Sequence, residues 1–298
     1  MPLIQGRHDL LKSFYFDVLK CAVDPRKEEN WGKGAGTLWA NCGINQFHLP
    51  QEAQAQVFAG RIVLEYSDLT EVAARCDAAL CSTPYRTGGA LSNTKFRCEK
   101  LQGGALEVTC PWGNTFELRQ GGAADPRGVQ PGPVSEPLGM PELQVHVPAG
   151  GNLAGIARFY ETLIGAHVET RPGEVHVKCG GGLQTLVFCE QAPGVAVEHS
   201  DYHVSMYVND FPSMFKRMEE QSLVFVNPRF KRKAATLDEA VEQCMFRVKD
   251  IIDPESPQDG AIIVLEHEIR SPVKQDGSKY KSCPLEGVVP VSNAPDNF

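Results

Sequence analysis

The feature that most constrains this chain is that it repeats itself. Phe14-Tyr15, in a stretch with helical apolar spacing, is matched by Phe159-Tyr160 at an offset of 145. Asp68, which closes a strand at 61–67, is matched by Asp210 at 142, and Glu117 near the end of the first half by Glu266 at 149. Landmarks of three different kinds fall within a few residues of one spacing, so the 298 residues read as two copies of one plan.

Within each half a shorter order recurs. Residues 9–20 place Leu10, Leu11, Phe14 and Val18 on one helical face, with Asp9 as the expected cap. Strands are expected at 37–42, 44–49 and 61–67, then a helix through Val72, Ala73 and Cys76, and strands again at 96–101 and 105–119. In the second half Leu143–Val147 alternates as a strand. Asn152 caps a helix that ends on Gly165, and strands follow at 166–170, 174–179 and 184–190. At 202–208, Val204, Met206 and Val208 share one face, and His203, Ser205 and Tyr207 the other. Asp210 and Pro212 then open a helix expected to bury Phe211, Met214, Phe215 and Met218, and strands at 245–251 and 261–269 finish the chain. The strand-helix-strands order thus occurs four times, which predicts an α+β protein of paired βαβββ modules.

Domain limits follow from this order and from composition. Residues 1–120 form a first domain, 121–140 a Gly/Pro-rich linker, 141–272 a second domain and 273–298 a polar C-terminal tail. A hydrophobic fraction of 42% with 22% charged residues supports packed cores, and a net charge of −8 argues against a nucleic-acid surface. The one basic run, Arg229-Phe230-Lys231-Arg232-Lys233, reads as a solvated loop. No apolar run has membrane-spanning length and the start lacks a signal core, so a cytoplasmic protein is expected, an organelle after transit-peptide removal being the other possibility. The ten cysteines show no Cys-x-x-Cys pair and read as free thiols in a reducing compartment.

Four βαβββ units, the Phe-Tyr pair, a His strand ending in Asp, and Cys110-Pro111-Trp112-Gly113-Asn114-Thr115-Phe116-Glu117-Leu118 resemble the vicinal oxygen chelate superfamily, over about residues 1–270. That group includes glyoxalase I, bleomycin-resistance-type proteins, methylmalonyl-CoA epimerase and extradiol dioxygenases. The resemblance implies two cup-shaped mixed-sheet domains, with a divalent metal held on the concave face of a cup. Carried over to this sequence, it offers Gln144 or His146, His203, and Glu266 or Glu268 as metal ligands in the second domain. Which of Gln144 and His146 is the ligand depends on a one-step gap in the following loop.

The chemistry of such a set is broad. Two histidines and a carboxylate suit Fe2+, whereas a Gln/His/Glu set suits Zn2+, Ni2+ or Mn2+ as a Lewis acid. Glu268, on the Glu266 face, and Tyr207, on the His203 face, are then the candidate catalytic residues. The first domain departs from the pattern: Arg61 stands where His203 stands, and Glu117 has no histidine opposite, so this half is expected to be metal-free, with Gln46 and His48 sharing a strand face. His8, His176, His199 and His267 read as ordinary polar residues. The second domain also lacks a compact turn before its carboxylate, with Asp253-Pro254 set well ahead of Glu266. The leading expectation is a metal-dependent enzyme acting on a small molecule with adjacent oxygens, dioxygenase-like or glyoxalase-like. The alternatives are a metal-free small-molecule binder of the bleomycin-resistance type and a non-catalytic scaffold.

Overall fold

The computed structural model describes residues 3–4, 7–43, 45–80, 88–122, 134–179 and 184–278. The chain divides into two compact units whose boundary falls at Leu143/Gln144. Most of the expected linker, 123–133, and the tail beyond residue 278 lie outside the described residues.

The first unit begins with β1 (Leu3–Ile4), then α1 (His8–Leu11), which runs into a π-helical turn, Lys12–Val18. The expected cap Asp9 lies inside the helix. The N-cap is Arg7, which makes no side-chain capping bond, and Asp9 instead pairs back with Arg7. β2 (Ala22–Val23), a short α2 (Glu28–Lys33), β3 (Leu38–Cys42) and β4 (Asn45–Leu49) follow; β2-β3-β4 is an antiparallel meander, and β5 (Gln51–Glu52) pairs with β1. Gly43 sits between β3 and β4 at φ +59°. A Cβ there would collide with the Leu138 carbonyl, so the close approach itself selects glycine.

β6 (Gly60–Tyr66) leads into α3 (Thr70–Leu80), whose start is held by Asp68 accepting from the Thr70 N–H, and then β7 (Arg97–Lys100), β8 (Leu106–Thr109) and β9 (Thr115–Gln120). β9 pairs parallel with β6 and antiparallel with β8, and β10 (Gly139–Val147) borders β6. Strand β10 starts four residues before the alternating stretch read from sequence. Phe14, Tyr15, Phe47, Phe96 and Phe116 pack with ring centroids 5.0–6.3 Å apart; full burial of each such ring contributes about 2–3 kcal/mol.

The second unit repeats the plan. From the end of β10 the chain enters α4 (Leu153–Arg158), where the Asn152 side chain accepts from Gly155 N–H at 2.8 Å. It passes into a second π-helical turn, Phe159–Ile164, and stops at Gly165 with φ +76°. The meander β11 (Val168–Arg171), β12 (Glu174–Cys179) and β13 (Gln184–Glu190) follows, with β13 beside β10. The last module has β14 (His203–Tyr207), α5 (Phe211–Glu220), α6 (Leu237–Gln243), β15 (Met245–Ile252) and β16 (Ala261–Arg270), in the sheet order β14-β16-β15. Asp210 does not cap α5 as its residue type suggested. It adopts a left-handed conformation, φ 48°, makes no capping bond, and pairs with Arg217 instead. The buried face of α5 is Phe211, Met214, Phe215 and Met218, as the periodicity requires. The protein is therefore α+β, with mixed sheets and few helices, and no described helix is long and apolar enough to cross a membrane.

Candidate functional site

Three adjacent strands of the second unit gather the charged candidates. β14 runs parallel to β16 with His203 opposite Glu266, Ser205 opposite Glu268 and Tyr207 opposite Arg270. On the other side of β16, antiparallel β15 sets Arg247 opposite Glu268. Because alternate residues of a strand share a face, Glu266 and Glu268 point the same way, and Arg247 meets both.

Three of the four carboxylate oxygens accept a hydrogen bond, and the fourth, Glu268 Oε1, lies in an ion pair. Arg247 donates from Nη1 to Glu266 Oε1 and from Nη2 to Glu268 Oε2. Asn227 Nδ2 donates to Glu266 Oε2 at 2.7 Å, and Arg270 Nη2 pairs with Glu268 Oε1. The side chains of Arg247, Glu266 and Glu268 are only 5–6% exposed, so these charges are held in a nearly dry patch. Phe230 closes it, with its ring centroid 3.9 Å from the Arg247 guanidinium carbon and its edge against His203 at 5.7 Å. Burial acts to raise the Glu268 pKa, but Arg270, Arg247 and His203 outweigh it and hold the carboxyl below its ordinary value. His203 lies 4.0 Å from Glu268 through Nε2 and is a quarter exposed; burial shifts its pKa downward, favouring the neutral imidazole.

Gln144 and His146 are half-buried on β10, and His146 lies beside His199. His199 Nδ1 is 2.5 Å from the Tyr202 hydroxyl. Among the described residues no group of three or more His, Cys, Asp or Glu is arranged to hold a metal ion. His267, read from sequence as an ordinary polar residue, is fully buried. Its Nδ1 donates to the Leu265 carbonyl at 2.7 Å, which leaves Nε2 to accept from the Tyr160 hydroxyl at 2.6 Å. Burial pushes its pKa down to about 4.

In the first unit Arg61 on β6 donates from Nη1 to Glu117 and from Nη2 to Glu107, both at 2.9 Å, and Arg119 Nε donates to Glu117 at 2.5 Å. The strand register corrects the equivalence drawn from sequence. Glu117 opposes Val63 and Glu268 opposes Ser205, and 63 and 205 are separated by the same 142 as Asp68 and Asp210. Glu117 therefore corresponds to Glu268, not Glu266, and Arg119 corresponds to Arg270. Gln46 donates to Asp24 at 2.7 Å and to Asn41 at 2.5 Å, and His48 Nε2 is 2.7 Å from Gln46 Oε1, so this face is a closed polar network.

Sequence reasoning placed His203, Glu266 and Glu268 on neighbouring strands but missed Arg247, Asn227, Phe230 and Arg270. The available signal for Arg247 was a charged residue set between Phe246 and Val248 in the strand Met245–Ile252. Buried arginines need carboxylate partners.

No family model and no curated protein matches the chain. Solved structures do. Glyoxalase I from Zea mays aligns with 90% of this chain and 89% of its own at 14% identity and a TM-score of 0.53. A Bacillus subtilis protein provisionally described as a dioxygenase aligns with 93% and 85% at 13% identity and a TM-score of 0.52. This is the vicinal-oxygen-chelate fold. The resemblance noted from the sequence implies a divalent metal at His203 and Glu266 or Glu268, and here the donors do not fit one as they stand: the oxygens of Glu266 and Glu268 are engaged by Arg247, Arg270 and Asn227.

Proposed function

We propose that the protein is a metal-independent vicinal-oxygen-chelate-fold protein that binds a small molecule at the His203 strand of its second unit. The observation that carries this reading is the buried guanidinium of Arg247 spanning Glu266 and Glu268. It supplies the positive charge that such a carboxylate pair demands, one terminal nitrogen donating a charge-assisted hydrogen bond to each carboxylate. His203 is the group left to meet a ligand. It is partly exposed, its depressed pKa keeps a lone pair available, and Glu268 and Phe230 limit how far its ring can move. Arg247 and Arg270 act through Glu268 as positioning residues.

Likeness to glyoxalase I favours a second reading, a metal-dependent lyase or dioxygenase with His203 and Glu266 among its ligands. Elemental analysis of the purified protein separates the two. Fe, Zn, Ni and Mn are expected far below one per chain, with the melting temperature unchanged by EDTA. A thermal-shift screen of small molecules is expected to give stabilising hits that His203→Ala abolishes, since a ligand stabilises by RT ln(1 + [L]/Kd). One metal per chain, lost in His203→Ala, would overturn the proposal in favour of the enzyme.

A further inference from the structure

Away from the charged networks, the first unit brings two thiols together. The buried face of α3 is Val72, Cys76 and Ala79, spaced i, i+4 and i+7, and Cys76 is fully buried. Strand β7 pairs on one side only, with β8. Its Arg97, Glu99 and Lys100 are exposed, whereas Cys98 is half-buried and stands opposite the fully buried Val108. Opposite residues of an antiparallel pair share a face, so Cys98 belongs to the row that α3 covers. There the Cys76 thiol meets the Cys98 thiol in a side-chain hydrogen bond between helix and strand. The two residues are separated by 22 positions in the chain.

We infer that Cys76 and Cys98 are a peroxide-oxidisable pair, Cys98 attacking and Cys76 resolving, that closes into a disulfide fastening α3 to β7. This site is independent of the ligand reading at His203. Its two members are unlike in the way such a pair requires: Cys98 is reachable from solvent, and Cys76 is enclosed beside it. The Cys76 S–H donates to Cys98 and, with Lys100, holds the Cys98 thiol below its ordinary pKa against burial and the carboxylates of Asp77 and Glu99. The same bond, together with burial, keeps the proton on Cys76. Elsewhere burial pushes the thiols of Cys21, Cys42, Cys110 and Cys179 up, so those sulfurs read as packing groups. The chemistry runs in two steps. The Cys98 thiolate attacks one peroxide oxygen, the O–O bond breaks, hydroxide leaves, and Cys98 becomes a sulfenic acid. Cys76 sulfur then attacks Cys98 sulfur, the S–O bond breaks, and the departing hydroxide takes the Cys76 proton as water. Two thiols and one peroxide thus give one disulfide and two waters, with two electrons passing from sulfur to oxygen.

The test treats the whole reduced chain with hydrogen peroxide, removes the excess with catalase, alkylates in denaturant, and maps peptides by mass spectrometry before and after dithiothreitol. A peptide pair linked through Cys76 and Cys98 is expected, reversible by dithiothreitol. The linked chain should melt a few degrees above the reduced one, because a cross-link that fits the native geometry constrains the unfolded chain. In Cys76→Ala, Cys98 should stop at the sulfenic acid and be captured by dimedone. In Cys98→Ser, oxidation of Cys76 should slow at least tenfold. The wild-type mapping needs neither variant, so it decides the matter even if one of them fails to fold. Cys76 and Cys98 both alkylated after peroxide would make them packing thiols only and overturn the pair. Linkage of Cys98 to another cysteine, Cys81 included, or a linked chain that melts below the reduced one would overturn it equally.

Discussion

At the scale of single residues, the cost of the Arg247 network is best read from what its removal leaves behind. Arg247→Met leaves two carboxylates at 6% exposure to share one guanidinium, Arg270, and losing one partner of a buried ion pair typically costs about 3–5 kcal/mol. Replacing Glu266 by glutamine in the same background removes the uncompensated charge and leaves Glu268 to Arg270, so urea unfolding of the double variant is expected to recover much of that loss; a purely additive result would refute the coupling. His267 gives a second, pH-dependent expectation. Its pKa is about 4 in the folded protein against about 6.5 for an unperturbed imidazole, because burial disfavours the imidazolium. Above pH 6.5 neither state holds the proton, and the full contribution of neutral His267 is present. As pH falls from 6.5 towards 4, the unfolded chain takes up a proton that the folded chain refuses, and stability declines by up to about 3 kcal/mol. His203 and His199 shift in the same direction, so the measurement is the difference between wild type and His267→Gln at pH 7 and pH 5. An equal slope in both would refute the assignment. Alternation alone put His203, Glu266 and Glu268 on usable faces, but the partner of Arg247 was illegible. It depends on the β15–β16 register, which carries a bulge between Val248 and Asp250 that no local pattern encodes.

At the scale of elements, side-chain capping explains both what the sequence revealed and what it hid. Asn152 behaved as its residue type predicts and does more: Nδ2 donates to Asp253 at 2.9 Å, and Arg158 from the same helix pairs with that carboxylate at 2.5 Å. The Asp253-Pro254 turn, which departs from a compact ending before the carboxylate strand, is thus fastened to α4. Asn152→Ala is expected to cost about 1–2 kcal/mol, the usual range for a lost cap, in thermal or urea unfolding. An effect within error would mean that Gly155 N–H finds another acceptor. Asp9 and Asp210 failed as caps for a different reason: each has an arginine in reach, Arg7 and Arg217, and the charged partner competes with the backbone for the carboxylate. Helix α6 went unread although its capping box, Thr236 with Glu239, was present in the sequence; the helix is short and buries only Ala240, so its apolar period is weak.

At the scale of the whole molecule, the repeat was legible because it is carried by core residues that recur with their roles. Phe14-Tyr15 and Phe159-Tyr160 both stand in π-helical turns, and each pair meets edge to face at 5.0 and 5.3 Å. Charge repeats only in part: Glu117 and Glu268 each keep an arginine two residues on, Arg119 and Arg270, but the second cation is Arg61 in one unit and Arg247 in the other, and exposure separates those two. The side chains of Arg61 and Glu107 are 33% and 32% exposed, whereas Arg247 and its carboxylates are at 5–6%. Water and salt therefore reach the first network and largely not the second. Partly exposed pairs contribute about 1 kcal/mol or less each and weaken as ionic strength rises, while buried ones are screened little. Arg61→Met is accordingly expected to destabilise by about 1–2 kcal/mol in low salt, less than Arg247→Met. In 1 M NaCl, where the Debye length is about 3 Å, the Arg61→Met loss should shrink by half or more, with the Arg247→Met loss nearly unchanged. Urea unfolding of both variants at the two salt concentrations decides the matter. Equal salt sensitivity would mean that the two guanidinium networks feel the same dielectric, and that burial does not distinguish the cation of one unit from that of the other.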